Sequence, residues 1–339
     1  MNNTNNTEVF GNTFKHYNKE DMEGFVYPFK VRFALNGIDY KEVFRDKYCL
    51  DAGCGSGRGS LFMAEGGAKH ITSFDISEEN IKTTRKNFHL FGCDGWCTHK
   101  GSLLDIPYEN NTFDVVWCNG VAHHTGDTGG AIKELIRVLK PDGHLWLYVY
   151  GGGGIFWSMV HELRKWVEGI EPDYAIKILR DNKFTIPEVG EIVDHLFCKY
   201  LYTYSYFDIW RFLTNNGMVD CGCQLLGMPY DTNMRKYLFG AKWVEENRLM
   251  GEGDLRFWCR KKSKSISLGS ELEGMNMPDL LPAFKPSHKN WDKIIYGGRI
   301  IRYGGRIIRH LKREMNKLLP FDIEKFTDYL RGLNLKLEI

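Results

Sequence analysis

The chain has 339 residues, 43% hydrophobic and 26% charged, which is about two average domains of ordinary globular composition. That excludes a wholly disordered chain, a collagen-like repeat and a disulfide miniprotein. The net charge of +2 singles out no acidic partner, but it hides a basic window at 285–317, where ten Lys or Arg face two acids and leave −6 for the remainder.

The chain opens Met-Asn-Asn-Thr-Asn-Asn-Thr, with no basic region followed by an apolar stretch, so no signal peptide is expected. No apolar run approaches the roughly 20 residues that span a bilayer. A cytoplasmic location is expected, with the nine cysteines as thiols. His89, Cys93, Cys97 and His99 match no metal-ligand template, so no metal is expected.

From 44 to 150 strand and helix signals alternate. Tyr48–Asp51 reads as a strand that runs into a Gly-rich loop at 53–59. A helix through Leu61, Phe62 and Ala64 stops at Gly66-Gly67, and Ile71–Asp75 is the second strand. Ser77 is a helix N-cap, with Glu78 and Glu79 in the first turn. Ile81, Thr84 and Phe88 line that helix's inner face. Trp96–His99 and Phe113–Cys118 are strands three and four. A helix follows with Ile132, Leu135, Ile136 and Leu139 on one stripe. Lys140-Pro-Asp-Gly143 is a turn before a fifth strand at Leu145–Tyr150.

Gly151–Gly154 breaks the rhythm, and 155–200 reads as helical and rich in aromatics. The α/β pattern resumes with a helix at Phe207–Thr214 and strands at Val219–Leu225 and Leu255–Arg260. The organisation expected is an N-terminal arm at 1–43, a core at 44–150 and 205–262, and a helical insertion at 151–204. A linker at 263–290 and a basic extension at 291–339 follow. Strands alternating with helices predict a mostly parallel, doubly wound α/β sheet. Within the extension, Tyr-Gly-Gly-Arg-Ile-Ile-Arg occurs at 296–302 and again at 303–309. Wound as a helix, it separates its Ile residues from its four Arg. Contact with a membrane surface or RNA through 291–317 is therefore one reading, beside a terminal helix with a solvated basic face.

Asp51-Ala-Gly-Cys-Gly-Ser-Gly-Arg-Gly59 carries the chemistry. Its glycines let the backbone bend sharply and bring bare main chain against a ligand. The third Gly comes one residue too early for a dinucleotide fingerprint, which disfavours a nicotinamide oxidoreductase. Asp51 would repel a pyrophosphate and suits a ligand ammonium. Asp75 ends the second strand 24 residues after Asp51, where a carboxylate accepts from ribose hydroxyls.

Those residues are followed by Gly101-Ser-Leu-Leu-Asp-Ile-Pro107, Phe113-Asp114, Gly120-Val-Ala-His-His-Thr125 and Arg137-Val-Leu-Lys-Pro-Asp-Gly143. At these intervals the chain resembles class I S-adenosylmethionine-dependent methyltransferases, of the small-molecule branch with a His-His-Thr stretch after strand four. Phe10-Gly11 is similar to that branch too. The resemblance is strong over 44–150, looser over 205–260 and absent over 263–339. It implies a seven-stranded Rossmann-like methyltransferase fold, S-adenosylmethionine as cofactor and a small-molecule acceptor. Gly53, Gly55 and Gly57 would line the methionine part, Asp51 the ammonium and Asp75 the ribose, with Ile76 beside it. Ser102 and Leu103 would flank the adenine and Asn119 would face the cofactor. Ser102 stands where such proteins often place an acid.

Methyl transfer depends first on alignment, worth about 7–11 kcal/mol, against about 3–5 kcal/mol from a general base. If a base is used, His124 and His123 are the candidates, with Asp127 a candidate to orient one. Tyr17 in the arm, and Tyr204 and Tyr206 in an alternating run, are acceptor-site candidates. Two further readings stand beside this one. The first is a nucleic-acid methyltransferase using the basic tail, although Cys118-Asn-Gly-Val121 replaces the Pro-Pro-aromatic motif of amino-group methylases. The second is an S-adenosylmethionine-binding scaffold without turnover.

Overall fold

A computed structural model describes residues 11, 14, 15, 17–224 and 251–263. All belong to a compact unit, Met1–Leu280; a second unit, Leu281–Ile339, carries the tandem repeat and lies outside the described residues.

Helices α1 (Lys19–Leu35) and α2 (Tyr40–Phe44) lead into β1 (Tyr48–Ala52), α3 (Arg58–Glu65), β2 (His70–Asp75), α4 (Glu78–Phe91), β3 (Trp96–Lys100) and β4 (Phe113–Asn119). A 3-10 turn at Ala122–His124 precedes α5 (Thr128–Val138) and β5 (Leu139–Tyr150). The segment 151–204 holds α6 (Gly154–Trp166), α7 (Pro172–Asp181) and α8 (Ile186–Phe197). Helix α9 (Tyr206–Asn215), β6 (Met218–Cys223) and β7 (Asp254–Lys261) complete the described fold.

The seven strands run β3-β2-β1-β4-β5-β7-β6. The first five are parallel, while β7 lies antiparallel between β5 and β6. This is the expected seven-stranded, mostly parallel, doubly wound sheet. Its first departure from the sequence reading is β5, which starts at Leu139 and takes in the predicted turn. Asp142 adopts φ 61°, and the β4 register shifts between the Phe113 and Val115 pairs. The turn residues are thus absorbed as an irregularity within a longer strand.

Alternate residues of each strand face opposite layers. Leu50, Ala52, Val116, Leu145 and Leu147 join an aliphatic core beneath α5 and α9. Cys49, Val115, Trp117 and Trp146 join an aromatic core beneath α1 and α3. In that second core Trp117 and Trp146 stack 4.5 Å apart. Helix α1 has a capping box between Asn18 and Asp21 but contains Pro28, which costs about 3 kcal/mol in a helix interior. Met22, Val26, Phe29 and Phe33 are buried on its inner face. At about 1.5–3 kcal/mol for each such side chain, their burial outweighs the proline.

Candidate functional site

The site is built at the carboxyl ends of β1, β2 and β4. Residues 49 and 51 share a strand face, so Asp51 points towards α3 with Cys49. Asp51 Oδ2 accepts from Ser60 Oγ at 2.6 Å, and that hydroxyl lies 2.7 Å from Ser73 Oγ. The carboxyl is only 2% exposed. Burial pushes its pKa up to about 6, against the Ser60 hydrogen bonds, which lower it.

The loop after β1 is held from several sides. Gly53 N and Cys54 N both donate to Phe74 O, at 2.7 and 3.0 Å. Helix α4 grips the far side: Thr84 Oγ1 donates to Gly55 O at 3.0 Å, and Asn87 Nδ2 donates to Ser56 O at 2.8 Å. Gly55 has φ 54°, and a Cβ there would stand 2.9 Å from the Phe14 ring. A Cβ on Gly53, at φ 82°, would stand 2.5 Å from Val121 Cγ2. Both positions therefore need glycine for conformation and for space.

Asp75 closes the loop from β2. Its Oδ2 accepts from Gly55 N at 2.9 Å, and its Oδ1 accepts from Ser77 N at 2.8 Å and Asn80 Nδ2 at 3.2 Å. Burial raises its pKa, opposed by those donors. Ile76, immediately after, is 51% exposed. Leu103 is buried, and Ser102 Oγ accepts from Leu104 N at 3.2 Å. Asn119 Oδ1 accepts from Trp146 Nε1 at 3.0 Å. Of the arm, Gly11 lies against Ser77 and Phe14 against Gly55. Tyr17 is buried between Phe14 and Phe25, at 5.7 and 4.8 Å. Burial drives its hydroxyl up to about 12.

His123 and His124 sit in the turn after β4, both buried. His124 Nδ1 lies 2.8 Å from Tyr200 O and Nε2 lies 3.2 Å from Asp194 Oδ1. A carbonyl oxygen cannot donate, so Nδ1 carries a proton. Asp194, on α8, also accepts from Tyr150 Oη and, at 3.3 Å, from Cys198 Sγ. Burial would raise the Asp194 carboxyl, but the His124 and His195 charges and its hydrogen bonds hold it well below the usual range. His123 packs between His124 and Tyr150, its ring tilted against both at centroid distances of 4.1 and 4.2 Å. Its ring nitrogens have no hydrogen-bond partner among the described residues, and burial pushes its pKa well down.

Several expected positions lie elsewhere. Asp127 caps α5, its Oδ1 accepting from Gly130 N at 2.8 Å, so it does not orient an imidazole. Tyr204 is 3% exposed within the aliphatic core, its hydroxyl donating to Thr128 Oγ1 at 2.6 Å. Tyr206 lies in the same core and stacks on Phe257 at 5.2 Å. The alternating tyrosines therefore form no single wall: Tyr202 is exposed while Tyr204 is buried. Asp194 escaped the sequence reading. Its spacing of four from Cys198 at a helix end was the only local sign, and nothing local links it to His124.

Residues 50–147 match the family described as a methyltransferase domain. The chain is 35% identical over 95 residues to the glycine/sarcosine/dimethylglycine N-methyltransferase of Actinopolyspora halophila, covering 28% of this chain and 17% of that one. It is 32% identical over 129 residues to a demethylmenaquinone methyltransferase of Listeria welshimeri, covering 37% and 55%. The chain thus spans about half the length, or less, of these curated relatives. A solved S-adenosylmethionine-dependent methyltransferase from Aquifex aeolicus aligns at TM-score 0.40 and 14% identity, covering 72% of this chain and 99% of that one. Among the described residues no helix is long and apolar enough to cross a membrane.

Proposed function

For a chain whose residues 50–147 match a methyltransferase-domain family, we propose a class I S-adenosylmethionine-dependent enzyme that methylates a small-molecule acceptor. The observation that carries this reading is the Asp75 carboxylate bonded to Gly55 N at 2.9 Å. It ties an acid at the end of β2 to a glycine loop whose bare backbone a ligand could approach closely. That arrangement fits S-adenosylmethionine. Gly53, Gly55 and Gly57 would hold its methionine part and Asp51 its ammonium. Asp75 would hold the ribose with Ile76 beside it, Ser102 and Leu103 would flank the adenine, and Asn119 would face the cofactor. When bound, it supplies an activated methyl carbon for in-line displacement. The two curated relatives are named for glycine derivatives and for demethylmenaquinone, which supports an acceptor of metabolite size.

In this reading the protein contributes mainly alignment and exclusion of water. Both His124 nitrogens are engaged, by Tyr200 O and Asp194, so His124 positions the insertion against the core. His123 is the remaining candidate for a base.

The test is thermal shift with S-adenosylmethionine against NAD, followed by a labelled-methyl screen of metabolite pools and of RNA. Stabilisation by S-adenosylmethionine and label in small metabolites are expected. Stabilisation by NAD alone removes the reading, and label confined to RNA replaces the acceptor class. His123→Gln with unchanged turnover removes the base.

A further inference from the structure

His124, Asp194 and Cys198 bring an imidazole, a carboxylate and a thiol together where the insertion meets the sheet. Their donor atoms all lie within 4.8 Å of one another. Nε2 and Oδ1 are 3.2 Å apart, and Oδ1 and Sγ are 3.3 Å apart. Around tetrahedral zinc, with bonds of about 2.0–2.2 Å to N and O and about 2.3 Å to S, the corresponding edges are about 3.3 and about 3.5 Å. These two spacings need only a small expansion to reach them, while the third edge, Nε2 to Sγ, lies within 4.8 Å and closes towards about 3.5 Å on binding.

The surroundings are those that tune metal ligands. His124 Nδ1 donates to Tyr200 O at 2.8 Å, the bond that fixes an imidazole with Nε2 directed at a metal. Tyr150 Oη occupies the other oxygen of Asp194, leaving Oδ1 for the cluster. Arg164 donates to His195 O and Cys198 O, which locks the end of α8 that bears the thiol. Asp194 and Cys198 are four residues apart, so they lie on one side of the helix end. The charges also balance: a dication, a carboxylate and a thiolate sum to zero, which suits a buried site.

We propose that His124, Asp194 and Cys198 form a zinc(II) site that staples the helical insertion to the sheet domain. Binding releases two protons to solvent, one from Cys198 Sγ and one held between His124 Nε2 and Asp194 Oδ1, and leaves Nε2, Oδ1 and Sγ as ligands. Three protein ligands leave a fourth position for water or for a polar group of the acceptor. Without metal, a proton shared by His124 and Asp194 and the Cys198 S–H donated to Oδ1 hold the same three groups together, so bound zinc is what tells the two arrangements apart.

The test uses the full chain, reduced and stripped with chelator, and reads metal rather than turnover. Titration with zinc should give one tightly held ion per chain and a raised Tm. Cobalt(II) should give a thiolate-to-metal charge-transfer band that Cys198→Ser abolishes. Tyr150→Phe should weaken zinc binding by about 10–100-fold, the usual effect of losing an outer-shell partner. Absence of stoichiometric zinc in the folded wild type overturns the proposal in favour of the shared proton. A cobalt band that survives in Cys198→Ser also overturns it, because other thiols then bind the metal. Metal binding and methyl transfer are measured separately, so either reading can fail alone.

Discussion

Asp75 Oδ2 accepts the Gly55 backbone N–H at 2.9 Å. This one bond ties the end of β2 to the loop after β1, and the carboxylate holds Ser77 N and Asn80 Nδ2 as well. Asp75→Ala leaves those three donors without an acceptor, and hydrogen bonds to a charged group are worth about 1.5–3 kcal/mol each. S-adenosylmethionine affinity should fall by roughly 100-fold or more. Asp75→Asn, which keeps one acceptor oxygen, should fall less. Calorimetric titration of both variants measures the difference, and equal affinity to wild type would remove Asp75 from the cofactor site.

Gly53→Ala places a Cβ 2.5 Å from Val121 Cγ2 and retains a φ of 82°. It should weaken cofactor binding and lower Tm. Pairing it with Val121→Gly removes the colliding Cγ2, Cγ1 and Cβ atoms but leaves the backbone strain, about 1–2 kcal/mol for a non-glycine residue. The double variant should therefore recover part of the loss. Full recovery would mean that the close approach, and not the conformation, is what demands glycine.

The Asp51 carboxyl is pushed up to about 6, chiefly by burial. Below that pH it is neutral and offers an ammonium no charge. Above it, the anion attracts one. Cofactor affinity should thus rise with pH through about 6 and level off near 7. Asp51→Asn should bind more weakly and lose this dependence. A slope that persists in the variant assigns it to another group.

Glu252 accepts from Tyr206 N at 2.6 Å, and burial raises its carboxyl from 4.5 to about 7. The folded state therefore holds a proton that the unfolded chain releases at lower pH. Its contribution to stability is complete below about 4.5 and is lost as pH rises through about 7, by on the order of 1–3 kcal/mol. Glu252→Gln keeps an acceptor for Tyr206 N and needs no proton. Its Tm should exceed that of wild type at pH 8 and match it at pH 5. Parallel Tm curves for the two proteins across that range would discard the assignment.

The sheet and the glycine-rich loop were legible in the sequence because their signals are local. Short apolar-containing runs between turn and helix signals mark β1, β2 and β4, and glycine spacing marks the loop. Ser77 was readable as a cap for a similar reason, since its partner Asn80 N is three residues away. The absorbed turn in β5 was not readable, because its extension depends on pairing Leu139 with Phe113 on another strand.

The candidate site divides along the same line. Asp51, Gly53, Gly55, Gly57 and Asp75 stood out because the chain itself brings strand ends and their loops to one edge. The roles of the histidines and tyrosines did not. Asp127 follows His124 by three residues yet caps a helix, while Asp194, seventy residues away, meets the imidazole at 3.2 Å. Tyr204 and Tyr206 share a spacing that suits a binding wall, but the packing of α9 on the sheet buries both. Local backbone preference and residue pattern determined the fold class and the glycine-rich loop. Which buried polar group meets which was decided only by tertiary packing, because desolvation makes each such group find a partner wherever the closed fold provides one.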